Sequence, residues 1–419
     1  MSKYQIFGGK KLNGTLEIDA CKNSILPIIA GSVLCKGVVK LNNCPLYSDV
    51  IKMCDILKTL GSVIDYYQNT KTLILDNTNL EYQFISNELT KDIRASIFTL
   101  GPMLARFKKA KISYPGGCQI GQRGISTHIN SFEQLGVEVL QQHGYMYCKC
   151  KNINQKEIYL DIPSVGATEN LMMFMCSSFG KFKIKNAAKE PEIVDLQNFL
   201  NKMGAKISGA GTDTITIIGV EKFSEVEYTP LADRIITGTM LIAGAITGGN
   251  ITLKNCNPNH VGTLIDILKK SGCKISKTKN SIHLICNKKL KSFGKIETLP
   301  YPGFATDLQS QITTLACICS GVSLIKENIF ECRFRYVPEL IKMGAKIKVN
   351  GNIAIVEGKD ELFGAEVYAP DLRGGVALVL AGLIAKGYTT VNEIKYIERG
   401  YYKLEEQLSK LGADIQKID

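Results

Sequence analysis

Hydrophobic and polar positions repeat six times along the chain at a similar spacing. Each repeat contains a segment with apolar residues at helical spacing, then a glycine, then an alternating run, as in "LNKMGAKI" ending at Ile207. A glycine often ends a helix in a left-handed conformation, and alternation is typical of a strand. The pattern therefore predicts six amphipathic helices that each stop at a glycine and lead into a strand. The glycines are Gly61, Gly136, Gly204, Gly272, Gly344 and Gly412.

A second segment precedes each amphipathic helix and is apolar at almost every position. In "LIAGAITGGNITLKN" and "FMCSSFGKFKIKN", small apolar residues are followed by a break and by an alternating run that reaches an asparagine. A helix that is apolar on all sides is buried in a protein core. Each repeat of about 70 residues is thus predicted to hold one buried helix, one more exposed helix and several strands, as an α/β unit.

The chain length and one proline divide the six repeats into two domains. A chain of 419 residues exceeds what one hydrophobic core usually supports, so two domains of three repeats are expected. Pro230 interrupts the pattern before the fourth repeat. We predict a first domain over 21–229 and a second over 1–20 plus 230–419, with the N-terminal strand completing the second and a cleft between the two.

Composition and charge narrow the classes of function. The apolar fraction of 45% and the charged fraction of 21% are typical of a soluble globular protein. The N-terminus has no apolar signal segment and no apolar run is long enough for a bilayer, so a cytoplasmic location is expected. The net charge of +12 fits a lysine-rich surface, a nucleic-acid partner or a small anionic substrate. The lack of basic blocks and RNA-binding motifs favours small anions.

Cysteines and histidines are placed without the spacing of disulfide frames or metal sites. The 14 cysteines show no C-x-x-C motif and mostly lie in apolar segments, which is typical of free thiols in a reducing compartment. The 4 histidines are scattered along the chain. We therefore expect no metal site.

A glycine-rich segment, "YPGGCQIGQRG", places Cys118 and Arg123 among four glycines. Glycine costs backbone entropy wherever it is ordered, so the cluster needs a reason. Two interpretations stay open from the residues alone. The segment is either an exposed turn that happens to hold a thiol, or a mobile loop that brings a reactive thiol to an anion.

Cationic residues stand near the starts of predicted helices in different repeats. A helix N-terminus with a nearby arginine is suited to bind an anion, although a surface cap or ion pair is the alternative for each residue alone. Asp307, in "YPGFATDLQSQ", is either a helix cap or an ionised general base beside these cations. The cationic positions are Lys22, Arg94, Arg373 and Arg399.

A set of motifs in a fixed order resembles one enzyme family. It includes "ACKNSILP", "PGGCQIGQR", "SVGATEN", "AAKEPEIVDLQNFL", "FATDLQSQ" and "DLRGGVALVLAGL". Over essentially the whole chain the motifs are similar to UDP-N-acetylglucosamine enolpyruvyl transferase, a carboxyvinyltransferase of peptidoglycan synthesis in the EPSP synthase superfamily. The resemblance implies a two-domain inside-out α/β barrel of six βαβαββ units with a cleft between the domains, which agrees with the six repeats.

The resemblance also implies a reaction and a catalytic set. The enolpyruvyl group of phosphoenolpyruvate moves to the 3′-hydroxyl of UDP-N-acetylglucosamine, and phosphate leaves. Cys118 would donate a proton to the methylene carbon and Asp307 would accept the hydroxyl proton, with Lys22 and Arg399 completing the set. No cofactor or metal is implied, because arginines stabilise the charge.

Neither nucleic acid nor a membrane is an expected partner, and a monomer or weak homo-oligomer is expected.

Two binding sets follow from the same matched positions. Phosphoenolpyruvate is expected to contact Lys22, Asn23, Arg123, Arg333, Arg373 and Arg399. UDP-N-acetylglucosamine is expected to contact Asn23, Arg94, Arg123, Gly124, Ile125, Ser126, Thr127, Ile162, Pro163, Ser164, Val165, Asp307 and Ile329.

The chain departs from the usual family sequence at four positions. Gly124 and Ser126 stand where Pro and Asp are common, Ile236 replaces a usual Glu, and Cys332 replaces a usual Asn. None of these changes removes a proposed catalytic group. Two other functions stay open: the sister enzyme that uses shikimate 3-phosphate as acceptor, and a nucleic-acid-binding or RNA-end-processing protein on a related scaffold.

Overall fold

Helices alternate with short strands along the chain, which a computed structural model describes over residues 2–91, 93–116, 120–121, 124–153 and 155–418. The α-helices are α1 (Lys22–Ser32), α2 (Ser48–Thr59), α3 (Asn87–Thr90), α4 (Leu100–Phe107), α5 (Ser126–Gln134), α6 (Val165–Met175), α7 (Pro191–Lys202), α8 (Arg234–Ile246), α9 (Gly262–Ser271), α10 (Gln309–Ala316), α11 (Val337–Lys342), α12 (Leu372–Gly382) and α13 (Leu404–Lys410). The 3-10 helices of the described residues are Arg94–Thr99, Pro258–Val261, Thr306–Leu308 and Ile394–Arg399.

The strands are short and belong to several small sheets rather than to one large sheet. They are β1 (Lys3–Phe7), β2 (Asn13–Glu17), β3 (Val38–Leu41), β4 (Val63–Tyr67), β5 (Thr72–Asp76), β6 (Lys109–Ser113), β7 (Val137–Gln142), β8 (Tyr145–Cys150), β9 (Glu157–Tyr159), β10 (Lys181–Lys185), β11 (Lys206–Ser208), β12 (Thr214–Ile218), β13 (Val226–Tyr228), β14 (Asn250–Lys254), β15 (Lys274–Lys277), β16 (Ser281–Ile285), β17 (Lys295–Glu297), β18 (Val322–Lys326), β19 (Lys346–Asn350), β20 (Ile353–Glu357), β21 (Glu366–Tyr368), β22 (Tyr388–Asn392) and β23 (Asp414–Ile418).

The third repeat shows the structural unit in full. β9, α6, β10, α7, β11 and β12 follow one another, and their strands form one sheet in the order β11-β12-β10-β9. β9 and β10 run parallel because α6 connects them, whereas the other neighbours are antiparallel. This is the predicted βαβαββ unit. The described residues form five sheets of four strands and one of three, where the missing strand is reduced to a bridge between Ile85 and Ile112.

Each amphipathic helix ends one or two residues before its predicted glycine. The six glycines have φ angles between +90° and +114°, in the left-handed region that side chains with a Cβ rarely adopt. A strand begins one or two residues after each of them. The six-copy prediction of helix, glycine and strand is therefore confirmed.

The apolar helices α1, α4, α6, α8, α10 and α12 form the cores. Every residue of α12 is buried, as is every residue of α8 after Arg234. Glycines allow close neighbours, because a Cβ at Gly238 would lie 2.7 Å from a side-chain carbon of Leu308. Within the described ranges, no helix has both the length and the apolar character required to cross a bilayer.

The contacts divide the chain into two compact units. The sequence-based division placed the whole Cys118 loop in the first domain, whereas Ile120 and Gly121 group with the second unit. The reason is local, because the backbone N–H of Cys332 donates to the carbonyl of Ile120 at 3.0 Å. The first unit consists of Ala20–Cys118 and Arg123–Leu231, and the second of Met1–Asp19, Gln119–Gln122 and Ala232–Asp419.

The N-terminal strands complete sheets of the second unit. β1 lies between β22 and β23 and is antiparallel to both, so it fills the last place of the sixth repeat. β2 pairs in parallel with β14 and supplies the first strand of the fourth repeat. In the first unit, β13 pairs in parallel with β3 in the equivalent way. The N-terminal strands thus pair with strands of the fourth and sixth repeats.

Candidate active site

Asp307 is held by two buried arginines of the second unit. It lies in a 3-10 helix that leads into α10. Arg333 Nη2 donates to Asp307 Oδ1 at 2.7 Å, and Arg373 Nη2 donates to Oδ2 at 3.1 Å. The side chain of Asp307 is 28% exposed, while those of Arg333 and Arg373 are 3% and 4% exposed. The two guanidinium groups stabilise the ionised carboxylate in one orientation, and its exposed part is open to a ligand.

The N-terminus of α12 positions Arg373. Asp371 caps this helix, since its Oδ1 accepts from the backbone N–H of Arg373 at 2.9 Å and of Gly374 at 3.1 Å. Burial lowers the pKa of Arg373, but the charge of Asp307 and other nearby groups raise this pKa above its usual value, so the side chain stays charged. Its Nε is buried and has no acceptor among the described residues.

Glu327 fixes the backbone around two predicted site positions. It is 2% exposed, and its Oε2 accepts from the hydroxyl of Thr306, next to Asp307, at 2.9 Å. Its Oε1 accepts from the backbone N–H of Ile329 at 2.8 Å and of Phe330 at 3.1 Å. One buried carboxylate thus connects the segment that carries Asp307 with the segment that carries Ile329.

In the first unit, Lys22 pairs with Asp49 at the start of α1. Lys22 Nζ lies 3.2 Å from Asp49 Oδ2, and the side chains are 11% and 4% exposed. The sequence placed Lys22 and Asn23 just before a helix, whereas α1 begins at Lys22 itself. The ion pair therefore holds the ammonium group at the first turn of a buried helix, and half-buried Asn23 follows it.

Arg94 brings together part of the predicted nucleotide-binding set. It begins the 3-10 helix Arg94–Thr99, and its Nη2 donates to the carbonyl of Gly124 at 3.0 Å. Ile125 is 8% exposed and anchors the segment, while Ser126 and Thr127 begin α5. The structure thus places Arg94 beside the residues 124–127.

The second predicted nucleotide-binding segment, 162–165, leads into α6. Ser164 caps α6, because its Oγ accepts from the backbone N–H of Ala167 at 3.3 Å. The ring of His128, on the first turn of α5, lies against Gly166, where a Cβ would be 3.1 Å from its Nε2. The beginnings of α5 and α6 are therefore adjacent, and the structure brings both predicted segments together. Ile162 is 60% exposed.

The structure gives less detail for three of the predicted site residues, which are Cys118, Arg123 and Arg399. Cys118 and Arg123 lie outside the described residues. Arg399 ends the 3-10 helix Ile394–Arg399 and is half-buried. Among the described residues, no group of three or more His, Cys, Asp or Glu side chains is arranged to hold a metal ion. The substrate contacts of all predicted site residues stay predictions.

One of the four departures from the family sequence is buried, and the other three are exposed. Ile236 is 1% exposed on α8, where its backbone N–H donates to the capping carboxylate of Asp233 at 2.9 Å. An apolar side chain needs no polar partner at such a place. Gly124, Ser126 and Cys332 are exposed, so these departures alter surface chemistry rather than packing.

A model of the family described as EPSP synthase (3-phosphoshikimate 1-carboxyvinyltransferase) matches residues 6–408. The chain belongs to the EPSP synthase family. Two relatives are similar over 100% of both chains. A UDP-N-acetylglucosamine 1-carboxyvinyltransferase 2 from Caldanaerobacter subterraneus subsp. tengcongensis is 47% identical over 418 residues. A protein of the same name from Clostridium tetani is 44% identical over 418 residues.

Two solved structures share the fold of this chain. The enolpyruvyl transferase NikO from Streptomyces tendae has a TM-score of 0.89 at 22% identity, over 99% of this chain and 98% of that chain. EPSP synthase from Acinetobacter baumannii has a TM-score of 0.76 at 14% identity over 100% of both chains. The predicted α/β fold of the family is therefore confirmed.

Several residues that support this family site were missed by sequence analysis. Glu327, Asp49 and His128 each hold a predicted site segment in place, as described above. Asp49 and Glu327 lie outside the motifs that carry the resemblance, and no local pattern marks a carboxylate whose partners are distant in sequence. Of these three residues, only His128 had a signal in the sequence, because it directly follows Thr127, the last residue of a predicted binding segment.

Glu169 on α6 is a buried carboxyl group without a hydrogen bond. It is 0% exposed, and neither carboxyl oxygen has a partner among the described residues. Burial raises the pKa of Glu169 well above its usual value, and the charges of Glu192 and Glu190 raise it further. The folded protein therefore holds the proton of this carboxyl group to a higher pH than the unfolded chain does.

We expect this carboxyl group to make folding less favourable as pH rises. Its stabilising contribution is complete below the unfolded pKa, near 4.5, and is lost above it at up to about 1.4 kcal/mol per pH unit. Glu169→Gln should remove this loss. The free energy of unfolding of the variant, measured with urea at about 25 °C, should therefore rise relative to that of the wild type between pH 5 and pH 9. Exposed Glu221→Gln is the control. If the free energies of unfolding of the wild type and of Glu169→Gln change with pH in the same way, the raised pKa assigned to Glu169 is contradicted.

Proposed function

We propose that the protein transfers the enolpyruvyl group of phosphoenolpyruvate to the 3′-hydroxyl of UDP-N-acetylglucosamine, with release of phosphate, in peptidoglycan synthesis. The observation that carries this proposal is the full-length identity of 47% and 44% to enzymes named for that reaction. Fold likeness alone would leave the acceptor open, because one fold serves several reactions. The identity of these relatives extends over 100% of both chains, which favours the acceptor in their names.

The charges of the candidate residues suit two anionic substrates. In this proposal Lys22, Arg123 and Arg399 hold the phosphate of phosphoenolpyruvate, while Arg333 and Arg373 hold its carboxylate and phosphate end. Arginine offers a planar fork of donors that matches both groups. Each of the buried arginines uses one Nη2 on Asp307 and keeps further donors. The paired carboxylate also offsets the cost of burying two cations before substrate binds.

Asp307 is the proposed proton acceptor. The 3′-oxygen forms a bond to C2 of phosphoenolpyruvate and gives its proton to Asp307, while Cys118 gives a proton to the methylene carbon C3. Return of a proton from C3 to the thiolate of Cys118, with cleavage of the C2–O bond to phosphate, then restores the double bond and releases phosphate. A carboxylate fixed by two arginines needs little reorientation during this transfer, which is how positioned bases contribute to catalysis.

The first unit supplies most of the proposed nucleotide-binding residues. Arg94 and 124–127 lie together, and the start of α6 adjoins the start of α5 through His128 and Gly166. Helix N-termini favour anions, so this region suits the diphosphate of the sugar nucleotide. Asn23 and Ile329 complete the proposed contacts to the sugar.

The proposed biological setting follows from this chemistry. We place the reaction in the cytoplasm and propose a monomer or weak homo-oligomer without a nucleic-acid or membrane partner. The proposal also includes no metal, since the arginines supply the positive charge. Activity that disappears with a chelator and returns with a divalent ion would contradict this last part.

A phosphate-release assay with two acceptors tests the proposed function. Phosphoenolpyruvate with UDP-N-acetylglucosamine should release phosphate, whereas phosphoenolpyruvate with shikimate 3-phosphate should give the background rate measured without acceptor. Release with shikimate 3-phosphate alone would replace the proposal by the sister reaction. Release with neither acceptor, from protein that is folded by circular dichroism, would remove both.

A further inference from the structure

The side-chain amide of Asn170, on α6, has a fixed orientation. Asn170 is 0% exposed, and its Oδ1 accepts from the backbone N–H of Gly101 at 2.8 Å. Its Nδ2 donates to the carbonyl of Ile97 at 3.0 Å. Turning the amide over would set N–H against N–H and oxygen against oxygen at these two contacts. The backbone therefore dictates which end of the amide carries the hydrogens.

The fixed amide in turn dictates the proton position on His128. Asn170 Nδ2 lies 3.2 Å from His128 Nδ1, closer than to its third neighbour, the carbonyl of Gly166 at 3.4 Å, and an amide nitrogen can only donate. Nδ1 must then accept, so the proton of the neutral ring is on Nε2. Burial lowers the pKa of His128 to about 3, and the nearby charge of Arg94 lowers it as well, so the ring is neutral at neutral pH.

The Nε2–H of His128 lies at the first turn of α6. A Cβ at Gly166 would be 3.1 Å from Nε2, so glycine allows this approach. His128 is 5% exposed, and Nε2 has no acceptor in the described part of the chain. The backbone N–H groups of Val165 and Gly166 also have none there, whereas that of Ala167 is capped by Ser164.

Unpaired donors at this turn call for an anionic acceptor. A helix N-terminus attracts negative charge through its free N–H groups and its dipole. A buried ring N–H beside it adds a directed donor that carries no charge of its own. A phosphate oxygen can accept from such a donor, whereas a cation cannot bind there.

We propose that Asn170 is a positioning residue that holds His128 in its Nε2–H tautomer, so that the ring donates to the diphosphate of the bound sugar nucleotide at the start of α6. The identity of the ligand rests on the proposed function, but the tautomer does not. Asn170 itself is buried behind the ring and acts through it. The opposite tautomer would place a lone pair at this turn and would repel the same oxygen.

The tautomer is measured directly by NMR of the full chain labelled with ¹⁵N-histidine, without any substrate. Long-range proton–nitrogen spectra distinguish a protonated from an unprotonated ring nitrogen. His128→Gln identifies the signals, since the chain has 4 histidines. We expect the wild-type ring to be protonated on Nε2 and bare on Nδ1 from pH 6 to pH 8. A bare Nε2 or a doubly protonated ring would overturn the proposal, whatever reaction the enzyme catalyses.

Asn170→Asp tests the positioning role. A carboxylate can only accept, so Nδ1 should become protonated in this variant. The KM for UDP-N-acetylglucosamine should rise about tenfold or more, with the KM for phosphoenolpyruvate within about twofold of wild type, as expected for a lost substrate hydrogen bond. Asn130→Asp adds the same charge at an exposed position of α5 and should change neither. Equal rises in both KM values would indicate a structural role and contradict positioning.

Titration of the labelled wild type identifies the acceptor. Uridine 5′-diphosphate should shift the His128 Nε2 signal, whereas phosphoenolpyruvate at the same concentration should leave it in place. This measurement needs no folded variant, so it decides the ligand question even if Asn170→Asp fails to fold. An Nε2 signal that ignores uridine 5′-diphosphate would refute the ligand contact while leaving the tautomer assignment intact.

Discussion

Asp307→Asn should lower turnover by about a hundredfold or more, the range typical of losing a general base. The amide keeps the size of the carboxylate but cannot accept the hydroxyl proton. It also leaves one of the two buried arginines facing an NH₂ group instead of Oδ2 or Oδ1. We therefore expect a lower unfolding temperature as well as a lower rate. Phosphate release per folded enzyme measures the first effect, and calorimetry measures the second.

Two comparisons separate the chemical effect from the structural one. Asp414→Asn removes a carboxylate that is 52% exposed in a surface ion pair with Lys10, and should leave the rate unchanged. In Asp307→Asn, the rate should remain low at temperatures where circular dichroism shows a folded protein. A variant that is folded and turns over within a few fold of wild type would remove Asp307 from the mechanism.

Cys118 should be the first cysteine alkylated by a small anionic epoxide such as fosfomycin, with complete loss of activity. The phosphonate should bind the same arginines and lysine as the substrate phosphate, which raises its concentration beside this thiol. Those cations also favour the thiolate, the reactive form. UDP-N-acetylglucosamine should accelerate labelling if the glycine-rich loop closes over bound ligand, and phosphoenolpyruvate should compete. Peptide mapping after brief exposure measures the order of labelling.

The protein contains its own control for this experiment. Of the thirteen described cysteines, Cys332 is exposed and the others are buried. A neutral reagent such as iodoacetamide should label Cys332, whereas the anionic epoxide should prefer Cys118 by about tenfold or more because of its docking group. Cys118→Ser should resist inactivation. If Cys332 reacts first with the epoxide, or if the sugar nucleotide has no effect, the glycine-rich segment is an exposed turn and not a catalytic loop.

The architecture could be predicted because it repeats. The six glycines such as Gly204 are required by local backbone geometry, and the apolar helices such as α12 are required by burial, so both leave a signal in a short stretch of sequence. The leftover N-terminal strand was also visible in the repeat count. Repetition allowed each weak local signal to be checked against five others.

The supporting contacts could not be predicted because they join distant segments. Glu327 connects Thr306 with Ile329, and Lys22 pairs with Asp49 on another helix. Nothing near Glu327 in the sequence marks it as a buried carboxylate with four donors. The contact between Ile120 and Cys332 could not be predicted either, since it depends on one backbone hydrogen bond between residues more than two hundred positions apart.

The tautomer of His128 could not be predicted from the sequence for the same reason. Its sequence context, "STHIN", indicates a helix start but gives no information on the ring. The proton position depends on Asn170, whose own orientation depends on Gly101 and Ile97. Four elements must be assembled before the chemistry of that ring is defined.

Mass spectrometry of the product formed from phosphoenolpyruvate and UDP-N-acetylglucosamine tests the central claim most directly. The account predicts a new species heavier than the sugar nucleotide by one enolpyruvyl group, formed together with one phosphate and absent without phosphoenolpyruvate. Fragmentation should place the group on the 3′-oxygen of the sugar. An unchanged sugar nucleotide beside folded protein, or an enolpyruvyl group found on shikimate 3-phosphate in a mixture of both acceptors, would contradict the account.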